Sequence, residues 1–125
     1  MNRDIENLDD ITLLVKTFYD ELCKNPVMDH LYNKVMKIDW EEHIPIMVHF
    51  WGSLVLRSGS YRGDIIGHHH HVIDKIPLTL SMFEQWEHCF IETLDSLFQG
   101  TNTEKTKKRV TAMTKSLVTK LNINS

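Results

Sequence analysis

The stretch from Tyr61 to His71, Tyr-Arg-Gly-Asp-Ile-Ile-Gly-His-His-His-His, constrains this chain of 125 residues more than any other. Two glycines and four consecutive imidazoles break helical periodicity in the middle of the chain, so regular elements must lie to either side. Half of the eight histidines sit in the run. Imidazole is a common ligand for transition metals, and four together repel one another whenever more than one is protonated, so the run suits binding better than filling space. Its internal position, flanked by patterned sequence, separates it from a purification tag. Two readings stay open at this level: a surface site for nickel or zinc through His68 to His71, and a loop presenting one histidine to a buried group.

The length suits one domain, spanning residues 1 to 125, that buries roughly two thirds of its unfolded surface. Cys23 and Cys89 stand far apart in apolar-periodic segments, as small hydrophobes and not as a disulfide or metal pair, which points to a reducing compartment. Met1 to Asp10 is polar and acidic, unlike a signal peptide, and no apolar run approaches the ~20 residues of a membrane span. A cytoplasmic protein without a membrane partner is expected. A net charge of -3 argues against nucleic acid, which needs a basic face. The basic cluster Lys105, Lys107, Lys108 and Arg109 reads as a solvated helix face.

Helical stripes account for most of the remainder. Ile11, Leu14, Val15, Phe18 and Leu22 fall at steps of three and four, with Asp9 or Asp10 as cap and Tyr19 carried to the edge of the core. Asn25-Pro26 ends that helix, and a short second one is expected over 27–36. Asp39-Trp40-Glu41-Glu42 reads as a capped start. It opens the most apolar helix, with Trp40, Ile44, Met47, Trp51, Leu54 and Val55 on one side and Phe50 at the margin. Pro45 lies near enough the start to bend that helix without breaking it. His43 sits over the stripe, where an imidazole can face a pocket from its rim. Beyond the histidines, Phe83, Trp86, Phe90, Leu94 and Leu97 mark a helix over 79–98. Thr101 to Glu104 forms a capping box for the last helix, whose stripe is Val110, Met113, Leu117, Val118 and Leu121.

The fold class is therefore all-α, about five helices around a central irregular stretch long enough to mark it as a functional candidate. Phosphate cradles, His-Glu-x-x-His, the Glu-x-x-His pair of di-iron bundles and Cys-His zinc spacings are absent. What remains is a histidine-bearing central segment, an aromatic core, and three polar side chains, Tyr19, His43 and Trp86, rising from apolar stripes of three helices. That set suits haem, which takes a strong axial imidazole, a large apolar slot and a few donors on the opposite face.

Several segments together are similar to a known family: Phe18-Tyr19; Asp39-Trp40 with His43, Met47 and Phe50-Trp51; Tyr61-x-Gly63 followed by His69; and Pro77-Leu78, Phe83 and Trp86. They resemble the group III truncated haemoglobins of bacteria, from about Ile5 to Leu121. The resemblance implies the truncated globin fold, a two-over-two helical sandwich around haem b (iron protoporphyrin IX). It makes His69 the proximal iron ligand and puts Tyr19, His43 and Trp86 on the distal side, with Met47, Phe50 and Trp51 as pocket wall. His43 is also placed to swing in and bind the iron when no ligand is present. His68, His70 and His71 are left to face solvent at the haem edge or to bond a propionate, and Tyr32 stands where many globins carry phenylalanine. The implied ligands are dioxygen, nitric oxide and carbon monoxide. The implied chemistry is oxygen or nitric oxide turnover, or peroxidase-like turnover, with an unidentified reductase and not bulk transport. A monomer or weak dimer is expected.

Overall fold

The computed structural model describes residues 2–56 and 78–120. Within them the chain forms α1 (Leu8–Leu22), α2 (Pro26–Asp29), a π-helical turn (His30–Val35), α3 (Trp40–Val55), α4 (Leu80–Leu97) and α5 (Thr101–Lys120), and the described residues contain no strand. α1 packs against both α3 and α4, α4 pairs with α5, and α3 touches α5, giving helices layered two over two.

Burial of the apolar stripes drives this arrangement. Ile11, Leu14, Val15, Phe18 and Leu22 of α1 are all buried, as are Phe83, Phe90 and Leu94 of α4 and Val110 and Leu117 of α5. Leu121 lies outside the described residues. Threonine completes the inward face of α5. Thr106 and Thr114 are buried, and their hydroxyls donate to the carbonyls of Asn102 and Val110 four residues back, at 2.7 and 2.9 Å, so the oxygens enter the core already satisfied.

α3 departs from its expected face. Val48, Phe50, Trp51, Gly52 and Val55 are buried, whereas Trp40, Ile44, Met47 and Leu54 pack against the core only in part. The helix is apolar over so wide an arc that hydrophobicity alone cannot say which part turns inward; Phe50, expected at the margin, is buried. α3 runs through Pro45 without a break, and the Asp39 carboxylate caps it by accepting from the Glu41 amide.

Capping differs at two other helices. Asn7, not Asp9 or Asp10, caps α1, its side chain accepting from the Asp10 amide at 3.0 Å. Asp10 is instead buried, where its carboxylate takes hydrogen bonds from the Arg3 guanidinium and the Glu6 amide. At α5 the expected Thr-x-x-Glu box gives way to a distant carboxylate: Asp4 accepts from the amides of Asn102 at 2.8 Å and Thr103 at 2.9 Å. The amino-terminal segment, polar in composition, is thereby tied to α5 and buries Ile5 completely. The expected second helix over 27–36 divides into α2, capped by Asn25, and the π-helical turn, where the Met36 amide donates to the Leu31 carbonyl at 2.9 Å.

Candidate functional site

α1, α3 and α4 converge on an aromatic cluster. Tyr19 of α1 is 7% exposed, and its hydroxyl lies 2.9 Å from Nε2 of the half-buried His43 on α3. Burial pushes the Tyr19 phenol well above its usual range, with Tyr32 and Cys23 adding to the effect. The phenol thus keeps its proton and can act as a hydrogen-bond donor; whether it gives to His43 or receives from it depends on the imidazole tautomer.

Trp86 of α4 is half-buried. It stacks on Phe90 at 5.3 Å and on Trp51 at 6.4 Å, both with rings 23° from parallel, and meets Phe18 edge-on at 5.2 Å. Trp51 and Phe50 of α3 are buried and touch at 5.2 Å, and Met47 packs partly against the same core. Of the residues singled out from sequence, Tyr19 and His43 are in direct contact, while Trp86 is linked to Tyr19 through Phe18, which touches both. His69 lies outside the described residues, as do Tyr61, Gly63, Pro77 and the remainder of the histidine run.

Three further residues join the site. Tyr32 packs against Tyr19 at 5.7 Å; burial pushes its phenol upward, opposed by a hydrogen bond with the Trp86 side chain. Trp40 packs against Tyr19 at 5.0 Å and His43 at 5.7 Å, so the imidazole lies between a phenol and an indole. Asn33 fixes Trp40 by accepting from the indole N–H at 2.8 Å, and its own amide donates to Asp29 at 2.7 Å. Tyr32 was visible in sequence as an apolar member of the short second helix and as a ring in place of a phenylalanine, and Asn33 carries no local signal, because its partner lies seven residues on, beyond a turn. Beside Tyr19 a groove of about 390 Å³ opens between α1 and the start of α3, lined by Lys16, Asp20, Cys23, Lys24, Trp40 and Ile44 among others. Phe50, Trp51 and Trp86 do not line it, so it is distinct from the aromatic face of α3 and α4. Among the described residues no group of three or more His, Cys, Asp or Glu side chains could hold a metal ion.

A crystal structure of a group III truncated haemoglobin from Campylobacter jejuni superimposes with a TM-score of 0.84 at 23% identity, covering 97% of this chain and 95% of that one. The fold is that of a truncated globin. In sequence, the group 3 truncated haemoglobin ctb of Campylobacter jejuni is 26% identical over 95 residues, 74% of this chain and 72% of that protein. No family model matches. Both likenesses bear out the resemblance drawn from the residues. In the truncated globin fold of this chain, α1, α3 and α4 are the helices that carry Tyr19, His43 and Trp86.

Proposed function

We propose that this chain is a haem protein of the truncated haemoglobin type, holding haem b with His69 as the iron ligand and binding dioxygen, nitric oxide or carbon monoxide on the face served by Tyr19, His43 and Trp86. The observation that carries this reading is the 2.9 Å contact between a buried phenol and an imidazole beside an aromatic wall, with an indole approaching from a third helix. A large apolar surface served by a few convergent donors is the form that a porphyrin site requires. Haem, when bound, supplies a redox-active iron open to a diatomic ligand.

The chain's own residues do the rest. Tyr19, protonated because it is buried, offers an O–H donor when His43 carries its hydrogen on Nε2, because the imidazole then donates to the hydroxyl oxygen and leaves the O–H for a ligand; the other tautomer turns the O–H to His43. Trp86 brings one indole N–H, bonded with the Tyr32 side chain, which a bound ligand would have to share, and its ring is held by stacking on Phe90 and Trp51. Met47, Phe50 and Trp51 exclude water, which strengthens every polar contact formed there. Donors of this kind favour retention of a partly negative ligand over its release. The chemistry best served is therefore turnover of oxygen and nitric oxide, or peroxidase-like turnover with electrons from a reductase, and not bulk transport.

An ultraviolet-visible spectrum of protein expressed with haemin, for the wild type and for His69→Ala, tests the reading. A strong Soret band in the wild type, lost or shifted in the variant, is expected. Absence of the band overturns the haem reading and promotes the nickel or zinc loop of His68 to His71; a band indifferent to the substitution moves the ligand to a neighbouring histidine.

A further inference from the structure

All three tryptophans of the chain and two of its three tyrosines form one connected group. Trp51 stacks on Trp86, which hydrogen bonds with Tyr32; Tyr32 packs against Trp40 at 5.9 Å and Tyr19 at 5.7 Å, and Tyr19 and Trp40 are 5.0 Å apart. Indole and phenol are among the side chains most readily oxidised by one electron, and rings in contact exchange electrons rapidly. Aromatic packing by itself is ordinary core. Two features here exceed what packing requires. The group reaches the surface, since half-buried Trp40 lines the open groove beside Lys16, Asp20 and Lys24. Its inner member is paired with a base, His43, through the 2.9 Å contact to the Tyr19 hydroxyl. A phenol that is oxidised must shed its proton, and a buried one needs an acceptor already in place.

We infer that this aromatic group is a one-electron relay, joining the Tyr19–His43 pair to a diffusible one-electron reductant of the phenol or ascorbate class seated against Trp40 in the groove. The role rests on the reading proposed above, which supplies a peroxide-derived oxidant inside the site. With such an oxidant in the site, Tyr19 would give up one electron; its O–H bond would break and the proton would pass to His43 Nε2, leaving a phenoxyl radical and an imidazolium. The step uses the His43 tautomer that carries hydrogen on Nδ1. Trp40 then gives one electron to the phenoxyl, the proton returns from His43 to Tyr19, and the indole becomes a radical cation. Its N–H is bonded to the neutral amide oxygen of Asn33, which does not take the proton, so the indole stays strongly oxidising until the reductant supplies an electron and releases its own proton to water.

Pulse radiolysis tests the coupling without relying on any cofactor. Azide radical, generated in a solution of the protein as purified, takes one electron from an accessible indole and becomes azide. In the wild type the indole-radical absorption is expected to decay into phenoxyl absorption with a first-order rate independent of protein concentration; this is the downhill reverse of the relay step, which runs forward only because the reductant in the groove removes the indole radical as it forms. Tyr19→Phe is expected to remove most of that phenoxyl signal, and Trp40→Phe, a mild change at a half-buried position, to remove most of the fast phase. His43→Leu is expected to slow the conversion roughly tenfold, the rate equivalent of losing one hydrogen bond. Far-ultraviolet circular dichroism establishes that each variant is folded. A rate proportional to protein concentration, or conversion unchanged in the folded Tyr19 and Trp40 variants, overturns the relay. A missing Soret band with intramolecular transfer intact removes the haem reading and leaves the coupling standing.

Discussion

Gly100 lies so close to Asp4 that a Cβ added to the glycine would stand 2.5 Å from the Asp4 Cγ and 2.6 Å from its Cβ. The closeness exists because the Asp4 carboxylate reaches past Gly100 to the first amides of α5. Gly100 also has φ of +147°, a backbone region that side chains other than glycine rarely adopt. Gly100→Ala is expected to meet both penalties and to lower stability by roughly 2–4 kcal/mol, combining backbone strain with disturbed capping bonds. Urea unfolding followed by circular dichroism measures it. A loss below about 0.5 kcal/mol, the scale of an ordinary surface substitution, would show that Asp4 yields without cost.

Acid stability depends on the same segment. Burial alone would raise the Asp4 carboxyl, but hydrogen bonds from Asn102, Thr103 and Ile5 outweigh it and hold the group below its ordinary value. Asp10 behaves likewise: burial raises it, and the bonds from Arg3 and Glu6 bring it down. A carboxyl depressed in the folded state stabilises the fold above its unfolded pKa, and that contribution fades as pH falls through the folded value. Asp10→Asn is therefore expected to be less stable than the wild type at neutral pH, with the gap narrowing below about pH 4. Unfolding midpoints measured from neutral to acid pH give the curve; a gap that persists unchanged into acid would assign the loss to packing and not to charge.

How legible these features were depends on the range of the interaction. The α1 stripe is a property of consecutive turns, so Phe18 and Leu22 could be assigned to the core from spacing alone, and they are buried. Tyr19 and His43 stood out as polar groups rising from apolar stripes, and they meet. The Asp4 cap is different, because its partners Asn102 and Thr103 lie 98 and 99 residues away and leave no local pattern. Thr101-x-x-Glu104 supplied a plausible local cap, yet Gly100 is the residue whose carbonyl accepts from Glu104, which places Thr101 already within the helix. Ile5 was lost among charges for the same reason: its burial follows from what Asp4 holds and not from any periodicity of its own.

Phe90 carries the packing of the site. It is fully buried, with Trp51 at 4.6 Å, Phe18 at 4.8 Å and Trp86 at 5.3 Å. Phe90→Ala removes the ring against which both tryptophans rest and is expected to cost about 3–5 kcal/mol. Near-ultraviolet circular dichroism of the tryptophans is expected to collapse with it. A well-folded variant with an unchanged aromatic spectrum would mean that Trp51 and Trp86 are held by other contacts.

Tyr19→Phe isolates the donor from the fold. The ring keeps its contacts with Phe18 and Trp40, at 4.8 and 5.0 Å, and only the hydroxyl facing His43 is lost. Stability is expected to change by only about 1 kcal/mol, the net worth of one hydrogen bond. In haem-loaded protein, dioxygen should leave about tenfold faster once the phenol no longer holds it, whereas carbon monoxide, which carries less negative charge, should respond less. Stopped-flow displacement of each gas measures the two rates on one sample. Equal acceleration of both gases would point to a widened pocket, because only a lost donor discriminates between ligands by their charge.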